Sequence, residues 1–280
     1  MKCGYYILCQ AIADSLKAAQ LHQGEAGRQP CLRKSWAGRR ADWRCQQEGF
    51  CLRYLALSPP DAIGYNYSNK LLGYSYMLEV SNLGCSRGDH RLFCGLNFSL
   101  DSGQIMQVQG ENGSGKTSLL RTLCGFMMPD EGDVLWDGGN IRDLDEEYYA
   151  EILYLGHLNA IKDELSALEN LRISAGLSGV VLDESEAIAA LRRIGLRGRE
   201  TLPTKVLSQG QRRRVALARL MVSDARLWIL DEPLTALDVR AVGLIQELIA
   251  EHLAQQGMVI FTTHQPLQVA GIEMYSLTLR

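Results

Sequence analysis

The sequence predicts an α/β fold in which helices cover a parallel β-sheet. Two observations lead to this prediction. From residue 77 onward, short apolar segments of strand length alternate with segments whose apolar residues recur at helical spacing. In addition, a glycine-rich octet stands between a strand-like and a helix-like segment, where α/β folds bind phosphate groups. Strands that alternate with helices at these lengths favour parallel pairing.

The individual elements are assigned from apolar periodicity and from the residues that end it. A glycine directly after an apolar stretch indicates the end of a helix, as at Gly125 and Gly195. Strands are predicted at 77–82, around 92–100, and at 104–109, 133–136, 226–230 and 258–262. Helices are predicted at 116–123, around 187–194 and at about 240–255, and a turn is predicted at 129–132.

Charge divides the chain near Met77. Residues 1–76 carry ten Lys/Arg and five Asp/Glu, whereas residues 77–280 carry nineteen and twenty-seven. The first segment shows no sustained periodicity and is predicted to be a poorly structured extension, whereas 77–280 is predicted to form one domain. The simplest hypothesis is that Met77 is the true start and that 1–76 is translated upstream sequence. A presequence is the alternative, but the segment is poor in Ser and lacks a clean amphipathic helix.

Two classes of protein are disfavoured by composition. No apolar run approaches the roughly 18–20 residues that a membrane-spanning helix needs, so any work at a membrane requires a second chain that spans it. The eight cysteines form neither the close pairs of a zinc site nor a haem-attachment motif. They are interpreted as buried or incidental thiols in a reducing compartment rather than as a disulfide framework.

The glycine-rich octet fits the phosphate-binding pattern G-x-x-x-x-G-K-[ST]. It comprises Gly110, Glu111, Asn112, Gly113, Ser114, Gly115, Lys116 and Thr117. Glycines let the backbone N–H groups wrap around phosphate oxygens, and the helix N-terminus adds positive potential. The pattern therefore predicts ATP binding, with Lys116 at the terminal phosphates and Thr117 as a ligand of Mg²⁺. By itself the octet is also compatible with an idle glycine-rich turn.

A second motif makes that alternative weak. The apolar segment 227–230 ends in two consecutive carboxylates, Asp231 and Glu232. Asp231 is predicted to hold Mg²⁺, and Glu232 is predicted to be the catalytic residue that orients or deprotonates the attacking water. Phosphoryl transfer requires mainly positioning and charge neutralisation, which this pair supplies. The competing interpretation is an ordinary pair of acids at the end of a strand.

The segment Leu207–Gln211, here called the signature-like segment, resembles the LSGGQ signature of ABC ATPases, with Gln209 in place of its first glycine. In that family the signature of one protomer closes over ATP bound by the other. The resemblance therefore implies a homodimer in which Ser208, Gly210 and Gln211 contact the nucleotide of the partner. Residues 212–214 are three arginines, which are interpreted as a solvated helix face. No nucleic-acid partner is predicted, because the domain from 77 onward is net acidic.

Two further segments extend the resemblance, and two residues depart from it. Asp238 ends a segment similar to the D-loop, and His264 follows a predicted strand as the family's switch histidine does, which implies a catalytic role at the γ-phosphate. His157 stands where most ABC domains have a glutamine that meets the metal. Arg87 stands where an aromatic residue commonly stacks on adenine, and its planar guanidinium could stack as well. Both are retained as predicted nucleotide contacts.

The chain resembles, more narrowly, the CcmA family, the ATP-binding subunits of the haem exporter of cytochrome c biogenesis. The resemblance extends from Met77 to the end of the chain and rests on residues 77–80, 134–136, 155–157, 161–162, 165–171, 227–233, 235–238 and 262–267. It implies a RecA-like core, an antiparallel β edge at 77 to about 105, and a helical subdomain at about 158–208.

The same resemblance implies partners and a location. The partners are membrane-spanning subunits similar to CcmB, CcmC and CcmD, one of which would dock beside 157–166. The location is the cytoplasmic face of the bacterial inner membrane, where the chain is peripheral. Two alternatives stay open. One is the ATPase subunit of another small-molecule exporter. The other is a soluble ABC ATPase acting on ribosomes or DNA, although such proteins usually carry two sets of motifs and this chain carries one.

Overall fold

The structure is a computed structural model that describes residues 75–269 and 271–279, so the predicted extension lies almost wholly outside the described residues. The strands are β1 (Met77–Arg87), β2 (His90–Asp101), β3 (Ile105–Gln109), β4 (Glu131–Trp136), β5 (Gly139–Asn140), β6 (Ile152–Leu155), β7 (Leu227–Asp231), β8 (Met258–Thr262) and β9 (Met274–Thr278). The α-helices are α1 (Lys116–Leu123), α2 (Ile141–Leu144), α3 (Glu146–Glu151), α4 (Ala167–Leu177), α5 (Glu184–Arg193), α6 (Gln209–Leu217) and α7 (Val239–Ala254).

The strands of the described residues form two sheets. The first is antiparallel, with strand order β2-β1-β4-β5. The second is parallel, with strand order β6-β7-β8-β3-β9, and helices lie on the connections from β6 to β7 and from β7 to β8. The predicted α/β class, the parallel sheet and the antiparallel edge are thereby confirmed.

The parallel sheet lies between two apolar cores. All five residues of β7 and all five of β8 are buried, as expected for strands covered on both faces. Because successive side chains point to opposite faces, Trp228 and Leu230 pack with the helices α4 to α7, whereas Leu227 and Ile229 pack with α1 and the antiparallel sheet. Only a nearly continuous apolar sequence satisfies both cores, and β7 has one.

Side-chain caps define where two helices of the helical region begin. Ser166 and Glu169 form a reciprocal capping box at the start of α4, and Ser208 and Gln211 form a second one at the start of α6. The predicted helical subdomain at about 158–208 thus contains α4, α5 and a short 3₁₀ turn, and it ends where the second capping box begins.

Two of the differences from the sequence-based assignment have a clear physical cause. The turn predicted at 129–132 is wrong in its second half, because Glu131 and Gly132 already belong to β4 and pair beside an irregular register of β1. The strand β9 was not predicted. It is a partly exposed edge strand held by parallel pairing with β3, so its stability comes from a neighbour distant in sequence rather than from its own apolar pattern.

The described residues include no helix that is long and apolar enough to cross a membrane.

Gly132 offers a test of the close approach between β1 and β4. A Cβ atom there would lie 2.3 Å from the carbonyl oxygen of Ser81, whereas a Cβ atom at Gly138, which has the same φ of 80°, meets no atom within 4 Å. We expect G138A to lower the free energy of unfolding by about 1 kcal/mol through backbone strain, and G132A by roughly 3 kcal/mol through strain and overpacking. Urea unfolding of both full-length variants measures the difference, and equal losses would contradict the proposed steric requirement.

Candidate nucleotide-binding site

The predicted phosphate loop, Gly110–Thr117, connects β3 to α1. Gly110, Gly113 and Gly115 all have positive φ, of 150°, 89° and 97°, and a Cβ atom on Gly110 would lie 2.5 Å from the Ser114 Oγ. Conformation therefore favours glycine at all three positions, and at Gly110 the lack of space requires it as well. The Lys116 Nζ donates to the carbonyl oxygens of Gly110 and Glu111, at 2.8 and 2.9 Å. The lysine charge is thus held over the loop itself.

Asp231 connects three elements at the end of β7. It is 3% exposed, and its two carboxylate oxygens accept hydrogen bonds from different threonines. The Thr117 Oγ1 donates to Oδ2 at 2.9 Å, and the Thr262 Oγ1 donates to Oδ1 at 2.7 Å. Because Thr117 belongs to α1 and Thr262 ends β8, the carboxylate fixes the phosphate loop relative to two neighbouring strands.

Glu232 follows Asp231 in a strained backbone conformation, with φ of 52°. Its N–H group donates to both the carbonyl oxygen and the Oγ1 of Thr262, each at 3.1 Å. Its carboxylate Oε1 lies 3.5 Å from the His264 Nε2, and its Oε2 accepts a hydrogen bond from the His264 backbone N–H at 3.3 Å. The Oε1 is buried and has no hydrogen-bond partner among the described residues. It is available to accept a proton or a hydrogen bond from a water molecule.

These residues line one cleft of about 440 Å³. The predicted site residues in its wall are Arg87, Asn112, Gly113, Gly115, Lys116, Thr117, His157, Asp231, Glu232 and His264. The two departures from the ABC pattern, Arg87 and His157, therefore face the same cleft as the phosphate loop. Leu92, Ser118 and Thr235 complete the wall and were not predicted as site residues, although Thr235 lies in the segment 235–238 that contributes to the family resemblance.

Gly110, Glu111 and Ser114 belong to the phosphate loop but not to the wall of the cleft, and four further predicted contacts lie elsewhere in the single chain. Ser208 and Gln211 cap α6, and Asp238 caps α7 by accepting from the Ala241 N–H at 2.9 Å while it pairs with Arg214 at 2.6 Å. Gly210 lies against the backbone, since a Cβ atom there would be 2.9 Å from the carbonyl oxygen of Ala236. None of these residues is in the wall of the cleft. Their predicted contact with the nucleotide of a partner protomer remains a prediction.

The interpretation of residues 212–214 as a solvated helix face is wrong. Arg213 is 5% exposed, and its guanidinium donates to backbone carbonyl oxygens at the ends of β6 and β7. Arg212 binds the carbonyl oxygens of Thr204 and Lys205, and Arg214 pairs with Asp238. The three arginines give no sequence signal for this arrangement, because most of their partners are main-chain carbonyl groups and the rest lie far away in the sequence.

The cleft fits a nucleotide with a divalent cation. The buried Ser114 Oγ lacks a hydrogen-bond partner in the described structure, and hydroxyl and carboxylate oxygens of Thr117 and Asp231 adjoin each other at the mouth of the phosphate loop. Oxygen donors of this kind suit Mg²⁺. No group of three or more His, Cys, Asp or Glu residues that could hold a metal occurs in the described ranges. A Mg²⁺ ion would therefore rely on water and phosphate oxygens as well, as is usual for this metal.

Comparisons with known proteins agree with this geometry. The ABC transporter family model matches residues 93–235, just over half of the 280-residue chain. The chain is 59% identical over 202 residues to the cytochrome c biogenesis ATP-binding export protein CcmA of Nitrosospira multiformis, which covers 72% of this chain and 98% of that protein. The protein of the same name from Escherichia coli is 46% identical over 203 residues, 72% of this chain and 96% of its own length.

This chain belongs to the CcmA family of ABC transporter ATP-binding proteins. The family predicted from the sequence is confirmed. An ABC transporter ATP-binding protein from Pyrococcus furiosus has the same fold, with a TM-score of 0.63 and 26% identity over 72% of this chain and 97% of the other. Family membership shows that the chain binds nucleotide as an ABC ATPase, in agreement with the predicted ATPase function.

Thr262 is the site residue whose structural role the sequence did not reveal, and its contribution can be measured. T262V removes a hydroxyl that is 0% exposed and leaves the Asp231 carboxylate without one donor. We expect a loss of about 1–3 kcal/mol in the free energy of unfolding. The control is T263V, because the Thr263 hydroxyl only accepts an exposed local bond from the Gln265 N–H. Equal unfolding midpoints in urea for both variants would contradict this assignment.

Proposed function

We propose that this CcmA-family chain hydrolyses MgATP to drive an export step in c-type cytochrome maturation, with haem or a haem-loaded chaperone as the molecule released. The observation that supports hydrolysis most directly is the convergence of four side chains on one cleft. Thr117, the adjacent pair Asp231 and Glu232, and His264 come from three separate segments, yet they meet beside the phosphate loop. Such an arrangement serves phosphoryl transfer, which depends on positioning and electrostatics.

The phosphates of the nucleotide would bind at one end of the cleft, and its base would bind at the other. Lys116 and the N–H groups of the phosphate loop neutralise the phosphates. Arg87, at the end of β1, offers a planar guanidinium for stacking on adenine, and Leu92 adds an apolar surface near it. His157, after β6, occupies the remaining wall and is proposed to contact the nucleotide as well.

Thr117 and Asp231 would hold Mg²⁺, which neutralises the charge that develops on the phosphate oxygens. Glu232 then acts on the attacking water. Its partnerless Oε1 accepts the water proton while the water oxygen bonds to the γ-phosphorus and the bond to the ADP oxygen breaks. His264 donates to the γ-phosphate from beside the same carboxylate, so the two residues mark where the reacting groups lie.

We further propose that two chains close on two nucleotides. In this arrangement Ser208, Gly210 and Gln211 contact the γ-phosphate held by the partner, and Asp238 lies at the interface. The exposure of Ser208 and Gln209 supports the proposal, since the N-terminus of α6, with its positive potential, is thereby accessible to a partner. An anion on the partner is a suitable ligand for such a helix end.

The membrane partners are proposed to be subunits similar to CcmB, CcmC and CcmD. The segment after β6 supports docking there, because Leu158 is 82% exposed and lies next to His157 of the cleft. A short helix of a membrane subunit seated on this segment would sense closure of the nucleotide cleft. The chain would then be peripheral on the cytoplasmic face of the bacterial inner membrane.

The hydrolytic role of Glu232 predicts a specific outcome in the native host. E232Q keeps the shape of the side chain but removes the proton acceptor, so we expect ATP hydrolysis to fall roughly 10²- to 10⁴-fold with ATP affinity retained. Covalently attached haem in c-type cytochromes should fall with it. The measurements are phosphate release, nucleotide binding and haem staining. Unchanged hydrolysis would contradict the catalytic role, whereas lost hydrolysis with normal haem attachment would point to another exported molecule.

The proposed dimer can be tested with the same variant. Since E232Q should bind ATP without splitting it, we expect ATP to convert it from monomer to dimer in analytical ultracentrifugation. The further substitution S208R should block the dimer by placing a bulky cation at the interface, and should leave ATP binding to the monomer intact. S178R, at the exposed C-terminal end of α4, is the control. A monomer in the presence of saturating ATP would contradict the proposal.

A further inference from the structure

We infer that Arg213 is a positioning residue for ATP hydrolysis, which fixes the backbone of Glu232 to the helix that follows the signature-like segment. The inference rests on the hydrolytic function proposed above. Arg213 lies in α6 and does not line the nucleotide cleft, so it would act through Glu232 rather than on the substrate.

The guanidinium binds directly at the end of β7. Its Nη2 donates to the carbonyl oxygen of Glu232 at 2.7 Å and to that of Asp231 at 3.2 Å. The main chain of the acid pair is thereby held by a side chain that is not part of the cleft wall. Both carboxylates remain free to face the phosphate loop and the cleft wall.

The other guanidinium nitrogen binds the segment after β6. Its Nη1 donates to the carbonyl oxygen of Gly156 at 3.0 Å and to the Asn159 Oδ1 at 3.2 Å. Gly156 immediately precedes His157, which lines the cleft, and Asn159 immediately follows the exposed Leu158. One side chain of α6 therefore connects the catalytic acid with the segment at which the membrane partner is proposed to dock.

Only arginine is suited to this position. A planar guanidinium with two terminal nitrogens can bridge two carbonyl groups in fixed directions, which a single ammonium cannot do. Burial lowers the pKa of the Arg213 guanidinium, and the nearby Asp231 and Glu232 carboxylates oppose that shift. The buried Nε has no hydrogen-bond partner in the described structure, which costs free energy of folding. A role in packing alone does not explain why a residue with this cost occupies the position.

The conformation of Glu232 shows why such a restraint is needed. A φ of 52° is unfavourable for a residue other than glycine and persists only when its surroundings enforce it. Thr262 holds the N–H group of this residue, and Arg213 holds its carbonyl group. Without Arg213 the peptide unit after Glu232 loses its restraint, and the carboxylate loses its fixed distance to the attacking water.

The same bonds connect the two proposed nucleotide sites of a dimer. Ser208 caps the N-terminus of α6, and Arg213 projects from the second turn of the same helix. A shift of α6 on contact with the partner's nucleotide would therefore move the hydrogen bonds at Glu232 in the chain's own site. Arg213 is thus placed to make hydrolysis in one site depend on engagement of the other.

The test compares R213Q with R212Q in the full-length chain. Arg212 is the matched control, because it also donates to main-chain carbonyl groups from α6. Its partners, Thr204, Lys205 and the Asp163 carboxylate, all lie within the predicted helical subdomain at about 158–208 and away from the acid pair. We expect R213Q to lower kcat for ATP hydrolysis about 10- to 100-fold with little change in KM or in equilibrium ATP binding. R212Q should stay close to the unmodified chain. Equal rates for the two variants would overturn the inference.

A double-mutant cycle separates positioning from general damage. If Arg213 acts through Glu232, the residual rate of E232Q should be unchanged when R213Q is added, whereas independent damage would lower it further and overturn the inference. Should R213Q fail to fold, R213K supplies a charged donor without the planar fork, and we expect it to bind ATP and hydrolyse it slowly. Hydrolysis by R213K at the unmodified rate would also overturn the inference. Normal hydrolysis by E232Q alone would instead refute the proposed function.

Discussion

The carboxylate of Asp231 is the interaction on which the site depends. One oxygen binds the threonine of the phosphate loop and the other binds the threonine that ends β8, so a single buried group sets the distance between three elements. A buried carboxylate is stable only when its oxygens are satisfied, and here two hydroxyl groups do so. The two threonine hydrogen bonds therefore have two effects: they offset the free-energy cost of burying the carboxylate, and they assemble the groups proposed to carry out hydrolysis.

The two apolar cores explain why this end of the sheet is rigid enough to hold a strained residue. β7 and β8 are buried on both faces, and their side chains interdigitate with helices on one side and with α1 and the antiparallel sheet on the other. Neither strand can slide without exposing large apolar side chains to water. The acid pair emerges at the point where β7 ends, and Glu232 is fixed there by neighbours that cannot move independently.

The elements that the sequence revealed are those whose cause is local. The phosphate loop, the strand before Asp231 and the helix after Asp238 are recognised because glycine spacing, apolar runs and caps lie within a few consecutive residues. β9 was missed because its partner β3 lies far away in the chain. Arg213 was misinterpreted because it binds main-chain carbonyl groups, which are present in every residue and therefore give no signal in the sequence. The requirement for glycine at position 132 could not be predicted from the sequence for the same reason, since the atoms that leave no room for a Cβ atom belong to β1.

Arg213 and Thr262 illustrate how a catalytic carboxylate can be positioned by side chains that bind its main chain. Neither side chain needs to touch the substrate, yet together they hold both ends of the Glu232 peptide units. Because one of the two lies on the helix of the signature-like segment, the restraint on the acid is not purely internal to the sheet. Any force that displaces α6, from a partner protomer or from a docked membrane subunit, acts on the Glu232 carbonyl group through a 2.7 Å hydrogen bond. A displacement of α6 is transmitted to Glu232 if α6 and the end of β7 move together. Moving them apart would leave the buried guanidinium without its hydrogen bonds, so the joint motion costs less free energy.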